Sequence, residues 1–116
     1  MEAKAVARFI RMSPCKVRQV VDLVRGKPVE EAINLLHFTP KRSSQPVEKL
    51  VRSAVANAMN MEAAAKLQPD DFFIKEIKVD DGPTMRRYNP GPMGRAGIIR
   101  KRFCHISITV ADKDSE

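Results

Sequence analysis

The spacing of apolar residues changes period several times along the chain. In residues 2–10, Ala3, Ala5, Ala7 and Phe9 fall on one side of an extended chain, and Glu2, Lys4 and Arg8 fall on the other. That period of two predicts a strand with one buried face. At Ser13-Pro14 the period lengthens, because Ser is suited to cap free helix N–H groups and Pro fits the first helical position. Val17, Val20, Val21 and Val24 follow at i, i+3, i+4 and i+7, leaving Lys16, Arg18, Asp22 and Arg25 off the stripe. Gly26 supplies a left-handed stop.

A second, shorter helix opens at Pro28, with Val29, Ala32, Ile33 and Leu36 in the same spacing, and ends at Thr39-Pro40. Ser43 and Ser44 stand where they can cap a third helix, whose stripe is Val47, Leu50, Val51, Ala54, Val55 and Ala58. This helix is expected to run to about Lys66, before Pro69. Its small residues, including Ala63 to Ala65, allow another backbone to approach closely. Period two then returns. Phe73, Ile77 and Val79 alternate with Glu76, Lys78 and Asp80, and later Cys104, Ile106, Ile108 and Val110 alternate with His105, Ser107 and Thr109. The resulting β-α-α-α-β-β order predicts an α+β fold with three helices on one face of a small antiparallel sheet. With 116 residues, no internal repeat and no linker, residues 1–116 are expected to form one domain.

One segment does not fit a compact domain. Pro83 to Phe103 joins two predicted strands but far exceeds the two to five residues of an ordinary hairpin loop. Its middle, Asn89-Pro90-Gly91-Pro92-Met93-Gly94, is a cluster of turn residues. The simplest geometry is a hairpin over about residues 82–105 whose arms, at ~3.3 Å per residue, project roughly 30 Å beyond the sheet. A two-stranded hairpin without an apolar face is marginal in water, so its ordered form needs a partner.

Charge identifies the kind of partner. Residues 1–27 carry seven basic side chains against two acidic, and residues 83–105 carry six basic and none acidic, within a chain of net charge +7. Two basic segments flanking a near-neutral middle are the footprint of a polyanion binder, with nucleic acid favoured over a membrane surface. No apolar run approaches the ~18 residues of a membrane span. The opening residues show neither an apolar signal region nor a basic presequence. Cys15 and Cys104 form no zinc or disulfide spacing, so a reducing, cytosol-like compartment is expected, with no metal and no cofactor. No Walker loop, H-E-x-x-H or G-x-S-x-G motif is present, and the adjacent Cys104 and His105 face opposite ways on a strand, so no enzyme is expected.

The chain also resembles the bacterial-type large-subunit ribosomal protein twenty-two family. The resemblance is carried by Ser13-Pro14-Cys15-Lys16-Val17-Arg18, Val24-Arg25-Gly26-Lys27, Leu36-His37-Phe38-Thr39, Ser53-Ala54-Val55-Ala56-Asn57-Ala58, Val79-Asp80-Asp81-Gly82-Pro83, Gly94-Arg95-Ala96, Arg100-Lys101-Arg102 and His105-Ile106. No single motif decides it; their order and spacing do. The resemblance implies a structural component of the large subunit, cytoplasmic or organellar, that binds large-subunit ribosomal RNA and supports assembly beside neighbouring ribosomal proteins. It further implies a hairpin that lines the nascent-peptide exit tunnel and meets the nascent polypeptide. Cys15 stands where the family usually has a basic or polar residue. Gly91, Met93 and Ile98 occupy positions commonly basic there, so a less cationic tip is expected.

The foremost RNA contacts are Arg86 and Arg87 on one arm and Arg100, Lys101 and Arg102 on the other, because Arg forks onto phosphate or stacks on unpaired bases. Arg11, Lys16, Arg18, Arg25 and Lys27 form a second patch, although Arg18 is equally placed to pair with Asp22 at i+4. Lys41 and Arg42 lie in a turn and touch either RNA or water. His105 either donates to phosphate or simply occupies the strand face, and His37 is read as helix-end packing. Met59 and Met61 are read as helix packing and Cys15 as at least half-buried. The tip, Tyr88, Asn89, Pro90, Gly91, Pro92, Met93, Gly94 and Arg95, is expected to line the tunnel, with Arg95 either on phosphate or facing the lumen. The competing reading is a DNA-architectural protein that inserts basic β-arms into the minor groove.

Overall fold

The computed structural model describes residues 2–61, 68–94 and 96–112, and for residues 87–90, 92, 96, 98 and 99 only the backbone. Strand β1 (Glu2–Ile10) is followed by helices α1 (Pro14–Val24), α2 (Val29–Phe38) and α3 (Ser44–Met59). After a short 3-10 turn come β2 (Phe72–Pro90) and β3 (Ala96–Asp112). The sheet is antiparallel with order β1-β3-β2. The centre falls to β3, which carries the longest apolar alternation, and Cys104, Ile106, Ile108 and Val110 are all buried. Thr109, on the opposite face, is only 9% exposed because strands flank it on both sides.

The valine stripe of α1 and the Val47-to-Ala58 stripe of α3 are buried against the sheet, and α2 packs chiefly on α3. The small residues of α3 bring it close enough to β1 for the Asn57 amide to donate to the Lys4 carbonyl at 3.1 Å. Gly26, at φ 77°, turns the chain after α1 as expected.

Several local expectations are corrected. The alternation of β1 breaks between Ala7 and Ile10. Phe9 takes φ 56° and swings outward, and Ile10 packs on the core instead. A second register shift, between Ile74 and Glu76, puts Phe72 and Ile74 on the core face with Ile77 and Val79, and Phe73 off it. An extra residue in a strand reverses the facing of all that follow. Helix α3 closes at Met59, not Lys66, with the Asn60 N–H returning to Ala56 and Ala58. Ala58 is the last buried residue of the helix, and Asn60 and Met61 after it are exposed. Residues 62–67, including Ala63 to Ala65, lie outside the described residues.

Ser13 and Ser43 occupy N-cap positions without side-chain capping bonds. Ser44 instead donates to the Lys41 and Thr39 carbonyls. His37 is exposed beside Glu48 and edge-on to Phe38, Met61 is exposed, and so is Cys15.

Beyond the sheet, β2 and β3 continue as the expected hairpin. Pairing runs from Thr84↔Arg102 through Arg86↔Arg100 to Pro90↔Ala96, after a register shift between Asp81 and Thr84. Asn89 and Pro90 belong to the arm rather than the turn. The molecule measures 66 × 25 × 19 Å, elongated by this hairpin. At the tip, Met93 takes φ 61° and is 99% exposed.

Candidate nucleic-acid interface

Four chain segments meet at the root of the hairpin. The β1–α1 loop brings Arg11, the first turn of α1 brings Lys16, the α2–α3 connection brings Lys41 and Arg42, and β3 brings Arg100, Lys101 and Arg102. With Met12, Ser13, Gln19 and Ser43 they line a cleft of about 940 Å³ in which, among the described residues, none is acidic. The two basic segments, separated by more than 50 residues in sequence, thus share one concave surface with a third contribution from residues 41–42.

Local bonding fixes the presentation. Ser44 Oγ donates to the Lys41 carbonyl at 2.6 Å and to that of Thr39 at 3.1 Å, pinning the 41–42 turn. Ser43 Oγ donates to the Lys16 carbonyl at 3.4 Å, tying α3 to α1. Lys41 Nζ donates to Gln19 Oε1 at 3.1 Å, a neutral partner that orients the ammonium without cancelling its charge. Seven cations converging without a carboxylate raise the local potential, and a polyanion relieves their repulsion.

Arg100 and Arg102 also line a second cleft, of about 420 Å³, with Cys15, Arg18, Thr84 and Arg86. Among the described residues, Asp81 is the only acidic one lining it. The hairpin root is therefore cationic on both sides, with Arg86 and Arg100 register partners across the arms.

Arg18, Arg25 and Lys27 also make contacts within the fold. Strand β2 is a sheet edge, and its outward carbonyls need donors. Arg18 donates to the Val79 carbonyl and Arg25 to the Ile77 carbonyl, each at 3.1 Å, while the Ile74 N–H donates to the Lys27 carbonyl at 3.0 Å. The expected Arg18–Asp22 pair does not form. Asp22 instead accepts from Arg25 at 2.9 Å, and Arg18 lies 3.5 Å from Asp81. Lys27 Nζ is 3.6 Å from Glu31. These three residues seal the edge with α1 and its C-terminal turn, and only Arg18 reaches the second cleft.

His105 accepts the Phe9 N–H at Nδ1, 3.0 Å, which leaves Nε2 as the donor of the neutral ring. Arg95 lies outside the described residues, as do the side chains of Arg87, Tyr88, Asn89, Pro90 and Pro92. Gln19 and Ser43 were missed as lining residues. Gln19 lies one turn beyond Lys16 on α1 and was legible by that spacing, whereas Ser43 was not.

Away from the clefts, a Lys75 hydrogen bond and charge hold the Glu2 carboxyl below the usual carboxylate range, and Lys78 does the same for Glu76. Burial pushes the Cys104 thiol up. Among the described residues no cluster of three or more His, Cys, Asp or Glu could hold a metal ion, and no helix is long and apolar enough to cross a membrane.

Residues 5–111 match the family described as Ribosomal protein L22p/L17e. The "Large ribosomal subunit protein uL22" of Pelotomaculum thermopropionicum is 57% identical over 113 residues, covering 97% of each chain. The protein of the same name from Desulfitobacterium hafniense strain Y51 is 53% identical, over 97% of this chain and 96% of its own. That of Thermoanaerobacter sp. strain X514 is 49% identical, over 98% and 100%. Matched over nearly its whole length, the chain belongs to the ribosomal protein L22p/L17e family.

Proposed function

We propose that the chain is a structural, non-enzymatic constituent of the large ribosomal subunit in the cytoplasm, and that it acts as a single RNA-binding unit on large-subunit rRNA. It supports assembly beside neighbouring subunit proteins, and its hairpin lines the peptide exit tunnel, where the tip meets the nascent polypeptide. The observation that carries RNA binding is the acid-free cleft of Arg11, Lys16, Lys41, Arg42, Arg100, Lys101 and Arg102 at the hairpin root. Phosphates entering it release counterions, which is the main driving force for binding a polyanion. RNA on both sides of the root would also supply the support that an isolated two-stranded arm lacks. Met93 at the tip is 99% exposed, so its side chain is presented to a partner.

Sucrose-gradient sedimentation of a gentle lysate tests the main reading. The chain is expected with large subunits after a moderate salt wash. Recovery at the top of the gradient, or with DNA, would reject it. For the tunnel, a photoreactive group at Met93→Cys is expected to capture a stalled nascent peptide, and capture of rRNA alone would reject that part.

A further inference from the structure

The cleft described above does not account for Phe9. Alternation with Ala3, Ala5 and Ala7 would send its ring into the core. Instead the residue holds φ 56°, a conformation that bulky side chains rarely adopt, and is 61% exposed. It is not loose there. The Phe9 N–H donates to His105 Nδ1, and the two rings meet edge-to-face with centroids 4.9 Å apart and planes at 89°. That contact leaves most of the phenyl surface in water. Arg8 and Arg11, both exposed, flank it in sequence, and Arg11 lines the basic cleft. Residues 8–13 contain no acid. Asp80 is the register partner of His105 on the far side, so an approaching anion is directed toward the Arg8–Arg11 side.

An oriented, solvent-facing aromatic ring on a segment with exposed arginines before and after it in sequence fits one ligand chemistry well. An unpaired nucleobase offers a flat π face, and its own phosphate reaches the neighbouring arginine. We propose that Phe9 is a stacking platform for an unpaired base of the bound RNA, with His105 Nε2–H as a donor to the same nucleotide. This deepens the RNA-binding reading and rests on it. An apolar protein partner would be less well served by the flanking guanidinium groups.

The chain contains no tryptophan, so Phe9→Trp introduces a unique reporter. Titration with large-subunit rRNA fragments is expected to quench its emission over the concentrations at which a mobility shift reports binding. Phe9→Leu is expected to weaken binding roughly 5- to 150-fold, the range for loss of one base–aromatic stack. Phe9→Tyr should bind as the parent does, and both variants should retain the parent unfolding transition. Tight RNA binding with unchanged Trp emission and an unaffected Phe9→Leu variant would overturn the proposal. Quenching by a subunit protein but not by RNA would also overturn it. If the parent chain binds no RNA, the RNA-binding reading itself fails and this one falls with it.

Discussion

Arg18 and Arg25, expected from the sequence as RNA contacts, donate in the fold to carbonyls of the β2 edge, and the share of each role can be measured. In Arg25→Gln the guanidinium loses its bond to the Ile77 carbonyl at 3.1 Å and its pair with Asp22 at 2.9 Å. A charged donor on a carbonyl contributes about 1.5–3 kcal/mol when sheltered, and half-exposure reduces this to about 1 kcal/mol. The exposed Asp22 pair adds no more than about 1 kcal/mol. A loss of about 1–2 kcal/mol corresponds to a fall in Tm of roughly 5–10 °C for a domain of this size. Arg18→Gln, which loses the Val79 carbonyl at 3.1 Å and the looser Asp81 contact at 3.5 Å, should lie at the lower end. Arg102→Gln should do the reverse. Its side chain is exposed and lines both clefts, so stability should hold while the slope of log K against log salt shrinks by about 0.7–0.9, the loss of one phosphate contact. Urea unfolding together with filter binding across a salt series reads both quantities. If Arg25→Gln unfolds like the parent but loses about one unit of slope, the edge-clamp reasoning is wrong.

Three further outcomes are expected. A Cβ at Gly82 would sit 3.1 Å from the Phe103 carbonyl carbon, its oxygen and its Cβ, mostly rigid backbone at the hairpin root, so Gly82→Ala should cost about 1–3 kcal/mol in urea unfolding; parent-like stability would show that the strands part freely there. A thiol reagent at neutral pH should modify Cys15 alone in the native chain and both cysteines in denaturant, because Cys104 is fully buried and its thiol is pushed up; rapid native modification of two would contradict that core placement. Since Lys78 lowers the Glu76 carboxyl from its ordinary 4.5, the stability it contributes is complete above that value and disappears as pH falls through the lowered one; Glu76→Gln should be slightly less stable than the parent at neutral pH and converge with it in acid, and a constant offset across the titration would contradict this.

Legibility followed the range of the interaction that decides each feature. The helix stripes were readable because burial repeats every 3.6 residues, and Val17 to Val24 and Val47 to Ala58 are buried as their spacing implies. The long hairpin was readable because an acid-free basic stretch without an apolar face cannot fold inward. Phe9 and Phe73 were misplaced because a single extra residue in a strand leaves no local mark, yet reverses every later side chain. The end of α3 was misread because it was set by Pro69, whereas the helix closes at Met59 with the Asn60 N–H returning to Ala56 and Ala58.

The sequence by itself determined the α+β order, the two basic segments, the protruding arms and the family. All of these are written in local period, charge run or motif spacing. Tertiary structure alone decided which cations serve the fold and which face outward. Arg18, Arg25 and Arg102 are the same residue type, but an exposed carbonyl row on β2 lies within reach of the first two. It also decided that Arg11, Lys16, Lys41 and Arg102 share one cleft, because only the packing of α1 and α3 against a sheet with β3 at its centre brings those segments together.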